Sequence, residues 1–103
     1  MEVYRDCFGK EVRLTDERKA HILEHPEMAG FVGEIGKVLS VPALVRRSRT
    51  DPEARLFYEF YAQTVVGGKW LCVVVKYPKE DGFVVTAYLT DQPKSGEELW
   101  PKK

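Results

Sequence analysis

The chain has few of the residue types that would define a specialised class of protein. Its 103 residues include only two cysteines and two histidines, and its 16 basic residues balance its 16 acidic residues. The two cysteines, Cys7 and Cys72, lie far apart, unlike the disulfide framework of a small secreted protein or a paired-cysteine zinc site. The balanced charge excludes a polycation that coats nucleic acid indiscriminately, so any basic binding surface must be local.

No hydrophobic stretch approaches the length of a membrane span, and the N-terminus lacks the apolar core of a signal peptide. We therefore expect a cytoplasmic protein with no membrane partner, in which Cys72 is a small buried hydrophobe within the apolar run 70–75. The length and the ordinary composition predict a single domain over residues 1–103.

Both histidines, His21 and His25, lie four residues apart on one predicted helix. Thr15 suits its N-cap, and Pro26 ends it, because the residue before a proline is disfavoured in the α region. Histidine has an unperturbed pKa of about 6.5, so this helix concentrates the proton-transfer capacity of the chain. The same spacing would suit a metal ion, but no motif places a third, acidic ligand. Surface histidines without a role are the other alternative.

The remaining pattern predicts a second helix and then strands. Apolar residues recur every three or four positions over 28–39, which is typical of a helix packed on a core. Four strand-like stretches rich in β-branched and aromatic residues follow: 43–48, 55–66, 69–77 and 83–90. We predict an α+β fold with two N-terminal helices on one face of a four-stranded antiparallel sheet, whose last three strands form a meander. Residues 1–14 are expected to form a short strand or hairpin, and residues 92–103 a polar C-terminal tail.

Alternation along the strands predicts one apolar face, covered by the helices, and one open face. On the last strand the alternation assigns four apolar residues to the covered face: Phe83, Val85, Ala87 and Leu89. The open face is expected to carry Glu59, Tyr61, Gln63, Lys76, Thr86, Tyr88 and Thr90. Adjacent arginines must point in opposite directions, and Arg46 is favoured for the open face with Arg47 at its rim.

The order of these elements resembles the phage-associated members of the barnase–EndoU–colicin–RelE-like nuclease superfamily. The resemblance spans residues 11–91 and is carried chiefly by the histidine helix with its His-Pro-Glu end and by residues 86–91. It implies a barnase/RelE-like fold and a metal-independent endoribonuclease of toxin or phage type that needs no cofactor. The implied partners are RNA and, as a further candidate, a protein inhibitor or antitoxin.

The resemblance assigns catalytic roles by position to His21, to Arg46 or Arg47, and to Thr86 or Thr90. Metal-independent cleavage uses the ribose 2′-hydroxyl as the nucleophile and needs a base, an acid and cations beside the phosphate oxygens. The residues expected to contact RNA are Arg47, Ser48, Arg49, Tyr61, Lys76 and Tyr88. Two alternatives stay open: a non-catalytic module that binds RNA or protein through the open face, and a merely solvated edge strand for the arginines.

Overall fold

The computed structural model describes residues 1–101, which form an α+β fold around one seven-stranded sheet. The strands are β1 Glu2–Arg5, β2 Glu11–Leu14, β3 Leu44–Arg47, β4 Ala54–Tyr61, β5 Lys69–Lys76, β6 Gly82–Thr90 and β7 Glu98–Trp100. Two α-helices, α1 Asp16–Leu23 and α2 Ile35–Ser40, lie between β2 and β3. Within the described residues, neither helix has the length and hydropathy needed to cross a membrane.

The strand order in the sheet is β1-β2-β6-β5-β4-β3-β7. Every neighbouring pair is antiparallel except β2 and β6, which run parallel. The α+β class fits, but the predicted four-stranded antiparallel sheet is wrong, because the N-terminal hairpin and β7 extend it at both edges into a mixed sheet. These added strands have only three or four residues each, too few for the alternation of period two to stand out.

The predicted second helix is broken into shorter segments. Short 3-10 helices cover Pro26–Met28 and Val32–Glu34, and the α-helix begins only at Ile35. Glycines interrupt the stretch, and each disfavours a helix by about 1 kcal/mol relative to alanine. The apolar positions other than Phe31 are nevertheless buried, and Phe31 packs partly buried against the same core, so tertiary packing satisfies the apolar stripe without a continuous helix.

The helices cover one face of the sheet, called here the covered face. Ile22 of α1 and Leu39 of α2 are fully buried in one cluster with Phe57, Leu71 and Val73 of the sheet. α1 begins at the N-cap Thr15, whose hydroxyl accepts a hydrogen bond from the backbone N–H of residue 18. The two α-helices and the sheet therefore share a single main core on this side.

A bulge in β6 shifts the predicted alternation. The register changes at this point, so that Val84 pairs with Val75 and Thr86 pairs with Val74. Val84 is buried in the main core, and Val85 lines a pocket on the other face. The prediction that Phe83 and Val85 lie on the covered face is therefore wrong. The bulge adds one residue to β6, so the side chains before it point to the opposite face from the one predicted.

The predicted faces of β4 are also reversed. Tyr61 packs edge-to-face on Phe31 at 5.1 Å between ring centroids, and its hydroxyl donates to the Glu34 carboxylate at 2.8 Å. Tyr61 and Glu59 thus belong to the covered face, contrary to the prediction that they lie on the open face. The reason is that β4 carries aromatic residues on both sides, so alternation marks no polar face there.

Candidate functional site

The face of the sheet opposite the helices, the open face, carries a second, smaller apolar cluster. Leu56, Tyr58 and Cys72 are buried in it, and side chains of β3, β5 and β6 pack around them. Tyr58 is fully buried because residues 91–97, called here the C-terminal strap, cross this face on the way from β6 to β7. The backbone N–H of Lys94 in the strap donates to the Tyr58 hydroxyl at 3.1 Å.

Arginine side chains of β3 and the following turn hold the strap. Arg46 donates from Nη1 to the carbonyl oxygen of Lys94 at 2.8 Å, and Arg49 donates from Nη1 to the Ser95 hydroxyl at 3.2 Å. A Cβ atom at Gly96 would lie 2.4 Å from a carbonyl oxygen of β3, so only glycine fits at this close approach. The strap is therefore a fixed wall on the open face.

Between the strap and the β3–β4 turn lies a pocket of about 700 Å³. This volume falls within the range of roughly 300–1,000 Å³ that is typical of small-molecule sites. The floor is apolar and the walls are polar, with the lining supplied by Ser48, Arg49, Thr50, Asp51, Ala54, Leu56, Val74, Lys76, Val85, Thr86, Tyr88, Lys94 and Ser95. The arrangement suits a ligand with one apolar part and one anionic part.

The three cationic side chains of the pocket are not equivalent. Lys76 Nζ lies 3.1 Å from the Asp51 carboxylate and 3.9 Å from that of Glu53. The hydrogen bond from Lys76, together with one from the backbone N–H of Glu53, lowers the pKa of Asp51. No carboxylate in residues 1–101 lies within ion-pair distance of Arg49 or Lys94. The positive charge of the pocket is therefore concentrated at the strap.

At the strap end of the pocket, the Cys72 thiol lies between the hydroxyls of Tyr58 and Tyr88. Burial raises the pKa of Cys72 to about 11, against the opposite influence of the two tyrosine hydroxyls and of the Lys94 charge. Burial also raises the pKa values of Tyr58 and Tyr88 above their ordinary value. All three groups are therefore protonated at neutral pH, and they serve as hydrogen-bonding groups rather than as bases or nucleophiles.

The structure brings several of the predicted site residues together. Arg46 lies on the open face beneath the strap, and its Nε is buried without a hydrogen-bond partner in the described chain. Thr90 is on the same face, beyond the pocket, where its hydroxyl donates to the carbonyl oxygen of Gln92 at 3.3 Å. Five of the predicted residues line the pocket itself: Ser48, Arg49, Lys76, Thr86 and Tyr88.

Three of the predicted residues outside the pocket are also not on the open face. His21 is on α1, which packs on the covered face, and its Nδ1 atom lies 3.7 Å from the Glu24 carboxylate. Arg47 points away from Arg46 and donates from Nε to Glu97 at 3.0 Å. Tyr61 belongs to the covered face, as described above. The sheet thus lies between the helix of His21 and the pocket, and the four residues predicted as catalytic do not form one constellation.

The two histidines have different carboxylate neighbours and do not form a common metal site with them. His25 lies 3.8 Å from the Glu27 carboxylate, whereas His21 is near a different glutamate. Nowhere in residues 1–101 do three or more His, Cys, Asp or Glu side chains form a group able to hold a metal ion.

Lys94 and Ser95 are pocket residues that the sequence did not predict, because the composition of residues 92–103 is that of a polar tail. The apolar pair Leu99 and Trp100 was an available signal, since both pack against the main core and draw the chain back to the sheet. Thr50 and Asp51 were also missed, because a turn of this composition is usually only a connection.

A comparison of the chain with protein-family models found no family that matches. Comparisons with curated proteins and with solved structures also found no match. The case for a function therefore depends on the chemistry of the pocket.

Proposed function

We propose that the open face binds single-stranded RNA and that the pocket is the centre of this site. The observation that carries the proposal is the convergence of Arg49, Lys76 and Lys94 on one concave site in a chain whose formal net charge is zero. Single-stranded nucleic acid is held by positive grooves that follow the backbone and by aromatic or apolar surfaces that take the bases.

The surroundings of the pocket support this choice of ligand. The Tyr88 ring lines the pocket beside an apolar floor, where an unpaired base can lie, and the Thr86 hydroxyl is available to ribose or phosphate. Further along the same face, Phe60 is 49% exposed and lies 5.4 Å from Trp70 between ring centroids. These two rings extend the surface on which bases can stack.

Binding is better supported than cleavage. The two histidines, His21 and His25, lie outside the pocket. Burial raises the pKa values of Cys72 and Tyr88, so both groups are protonated at pH 7 and neither is available as a base. Endoribonuclease activity stays a prediction from the resemblance, and a protein inhibitor that covers the open face is the partner it implies. An RNA ligand and the reduced, buried Cys72 thiol favour the cytoplasm as the place of action.

The test uses a labelled single-stranded oligoribonucleotide in EDTA, with fluorescence anisotropy measured at several salt concentrations. We expect binding that weakens with salt, with a slope of about −0.7 for each phosphate contact in a plot of log affinity against log salt. A folded protein that binds no RNA even at low salt would overturn the proposal. The same samples on a denaturing gel report cleavage, because shortened RNA that appears only with protein would add activity to binding.

A further inference from the structure

We infer that the pocket takes one unpaired nucleotide in a single orientation, with its phosphate at the strap and its base on the apolar floor towards Lys76. This inference rests on the proposed RNA-binding function and names the part of the RNA that the pocket recognises. It depends on the unequal distribution of charge between the two ends of the pocket.

The strap end of the pocket is positive, and no carboxylate of residues 1–101 forms an ion pair with its cations. Arg49 donates to the neutral Ser95 hydroxyl, and Lys94 Nζ lies 5.9 Å from the centroid of the Tyr88 ring. Arg46 adds a third cation behind the strap, and its buried Nε has no acceptor among residues 1–101. Three like charges in one corner repel one another, so an anion placed there relieves the repulsion and gains attraction from all three.

The carboxylates of the strap do not neutralise this corner. Asp91 pairs with Lys69 on β5, and Glu97 pairs with Arg47, whose side chain points to the covered face. The strap thus directs its negative groups away from the pocket while Lys94 remains on the pocket wall.

The Lys76 end of the pocket is unsuited to a phosphate. Its ammonium group already lies 3.1 Å from Asp51, with Glu53 next to it, so an anion there would face two carboxylates and would compete with an existing ion pair. The cross-strand pairs Ala54–Lys76 and Leu56–Val74 place apolar surface beside this end. A base, which is neutral and flat, fits this surface better than a phosphate does.

The two ends are far enough apart to be electrostatically distinct. Along β5, Lys76 is four residues from Cys72, which lies near Lys94 and the strap. Four strand residues span about 13 Å, and the Debye length at physiological salt is about 8 Å. A phosphate at the strap is therefore largely screened from the Asp51 and Glu53 carboxylates.

The experiment compares Lys94→Ala, Arg49→Ala and Lys76→Ala for oligoribonucleotide affinity at several salt concentrations. We expect the first two variants each to lose about tenfold in affinity and to reduce the magnitude of the salt slope by about 0.7. Lys76→Ala should lose less affinity than either of them, because its ammonium group already pairs with Asp51. Lys37→Ala, on α2 and outside the pocket, is the control that should leave affinity and slope unaltered. Lys94 contacts Tyr58 and Arg46 through its backbone, so its alanine variant keeps the strap in place.

A second measurement separates the orientation from RNA binding itself. Uridine 5′-monophosphate is titrated into the protein while the methyl NMR signals of Leu56 and Val74 are recorded, and we expect shifts that Lys94→Ala abolishes. RNA binding with a larger loss in Lys76→Ala than in Lys94→Ala would overturn the orientation and leave the proposed function standing. Lys94-dependent shifts in a protein that binds no oligoribonucleotide would keep the orientation and overturn the proposed function. No RNA binding and no shifts would overturn both.

Discussion

Phe57 and Tyr58 are neighbours in β4, they point to opposite faces of the sheet, and both are completely buried. The helices cover Phe57, and the C-terminal strap covers Tyr58 through the 3.1 Å hydrogen bond from Lys94. The centre of the sheet is thus covered on both sides. The open face is for this reason not a flat surface, and the strap gives the pocket the wall that carries its uncompensated charge.

Replacement of Tyr88 distinguishes a binding role from a packing role. If a base stacks on its ring, Tyr88→Ala should weaken RNA binding by about 1 to 3 kcal/mol, while Tyr88→Phe should retain most of the affinity. Anisotropy and thermal unfolding are measured on the same preparations, with Tyr61→Phe on the covered face as the control that should leave affinity unchanged. A lower melting temperature with unaltered RNA affinity in Tyr88→Ala would identify Tyr88 as a structural residue.

His21→Ala should leave RNA affinity unchanged, because α1 packs on the covered face and His21 is about half exposed there. Should the gel assay show cleavage in EDTA, a general acid–base role for His21 requires a loss of about 10² to 10⁴ in rate in this variant. Cleavage that persists within a few-fold in folded His21→Ala protein would remove His21 from the mechanism.

Arg46→Met should loosen the strap, because it removes the donor to the Lys94 carbonyl oxygen while keeping the aliphatic stem of the side chain. A hydrogen bond from a charged donor contributes about 1.5 to 3 kcal/mol, and removal of the buried Nε, which has no acceptor among residues 1–101, offsets part of that loss. We expect a lower free energy of unfolding and faster tryptic cleavage after Lys94. Arg49→Met is the comparison and should have the smaller effect, because its 3.2 Å bond ends on the Ser95 hydroxyl and not on the strap backbone. Equal sensitivity in the two variants would contradict the assignment of Arg46 as the main support of the strap.

The buried thiol predicts a loss of stability at alkaline pH. The pKa of Cys72 rises from an ordinary value of 9.0 to about 11 in the folded protein. The contribution of the buried, protonated thiol to the free energy of unfolding is therefore fully present below pH 9 and is lost as the pH rises through 11. Between pH 8 and pH 10.5 the wild type should lose about 2 kcal/mol more than Cys72→Ser, which cannot ionise in this range. Urea unfolding at both pH values checks this, and parallel losses in the two proteins would show that the thiol does not ionise on unfolding.

The sequence predicts the long elements of the fold better than the short ones. The strands β4 to β6 and the helix capped by Thr15 have eight or nine residues each, enough for a period to be recognised, and glycine-bearing turns join these strands. The strands β1, β2 and β7 are too short for this, and the parallel contact of β2 with β6 joins segments that are distant in the chain. A bulge such as that at Val85 cannot be recognised from the amino-acid composition of the strand. It nevertheless reverses the direction of the side chains that precede it in β6.

The site residues on the strands were predictable from alternation, and Ser48 and Arg49 were predicted from the basic run that follows β3. Lys76, Thr86 and Tyr88 lie on strands, and period two placed them on the open face. Lys94 was not predictable in this way, because its position depends on how the strap crosses the sheet. For His21, the helix pattern distinguishes a buried from an exposed side, but it does not say which face of the sheet the helix will cover.

The position of the strap near the C-terminus determines when the pocket can form during synthesis. Ribosomes make the chain from the N-terminus, so every strand of the pocket floor precedes Lys94 and Ser95 in time. Until the strap emerges, Tyr58 lacks its cover and the positive corner lacks Lys94, although the strands that build the floor have already been made. The growing polypeptide is therefore a sheet without a finished pocket, and we expect the proposed affinity for RNA only after the strap lies over Tyr58.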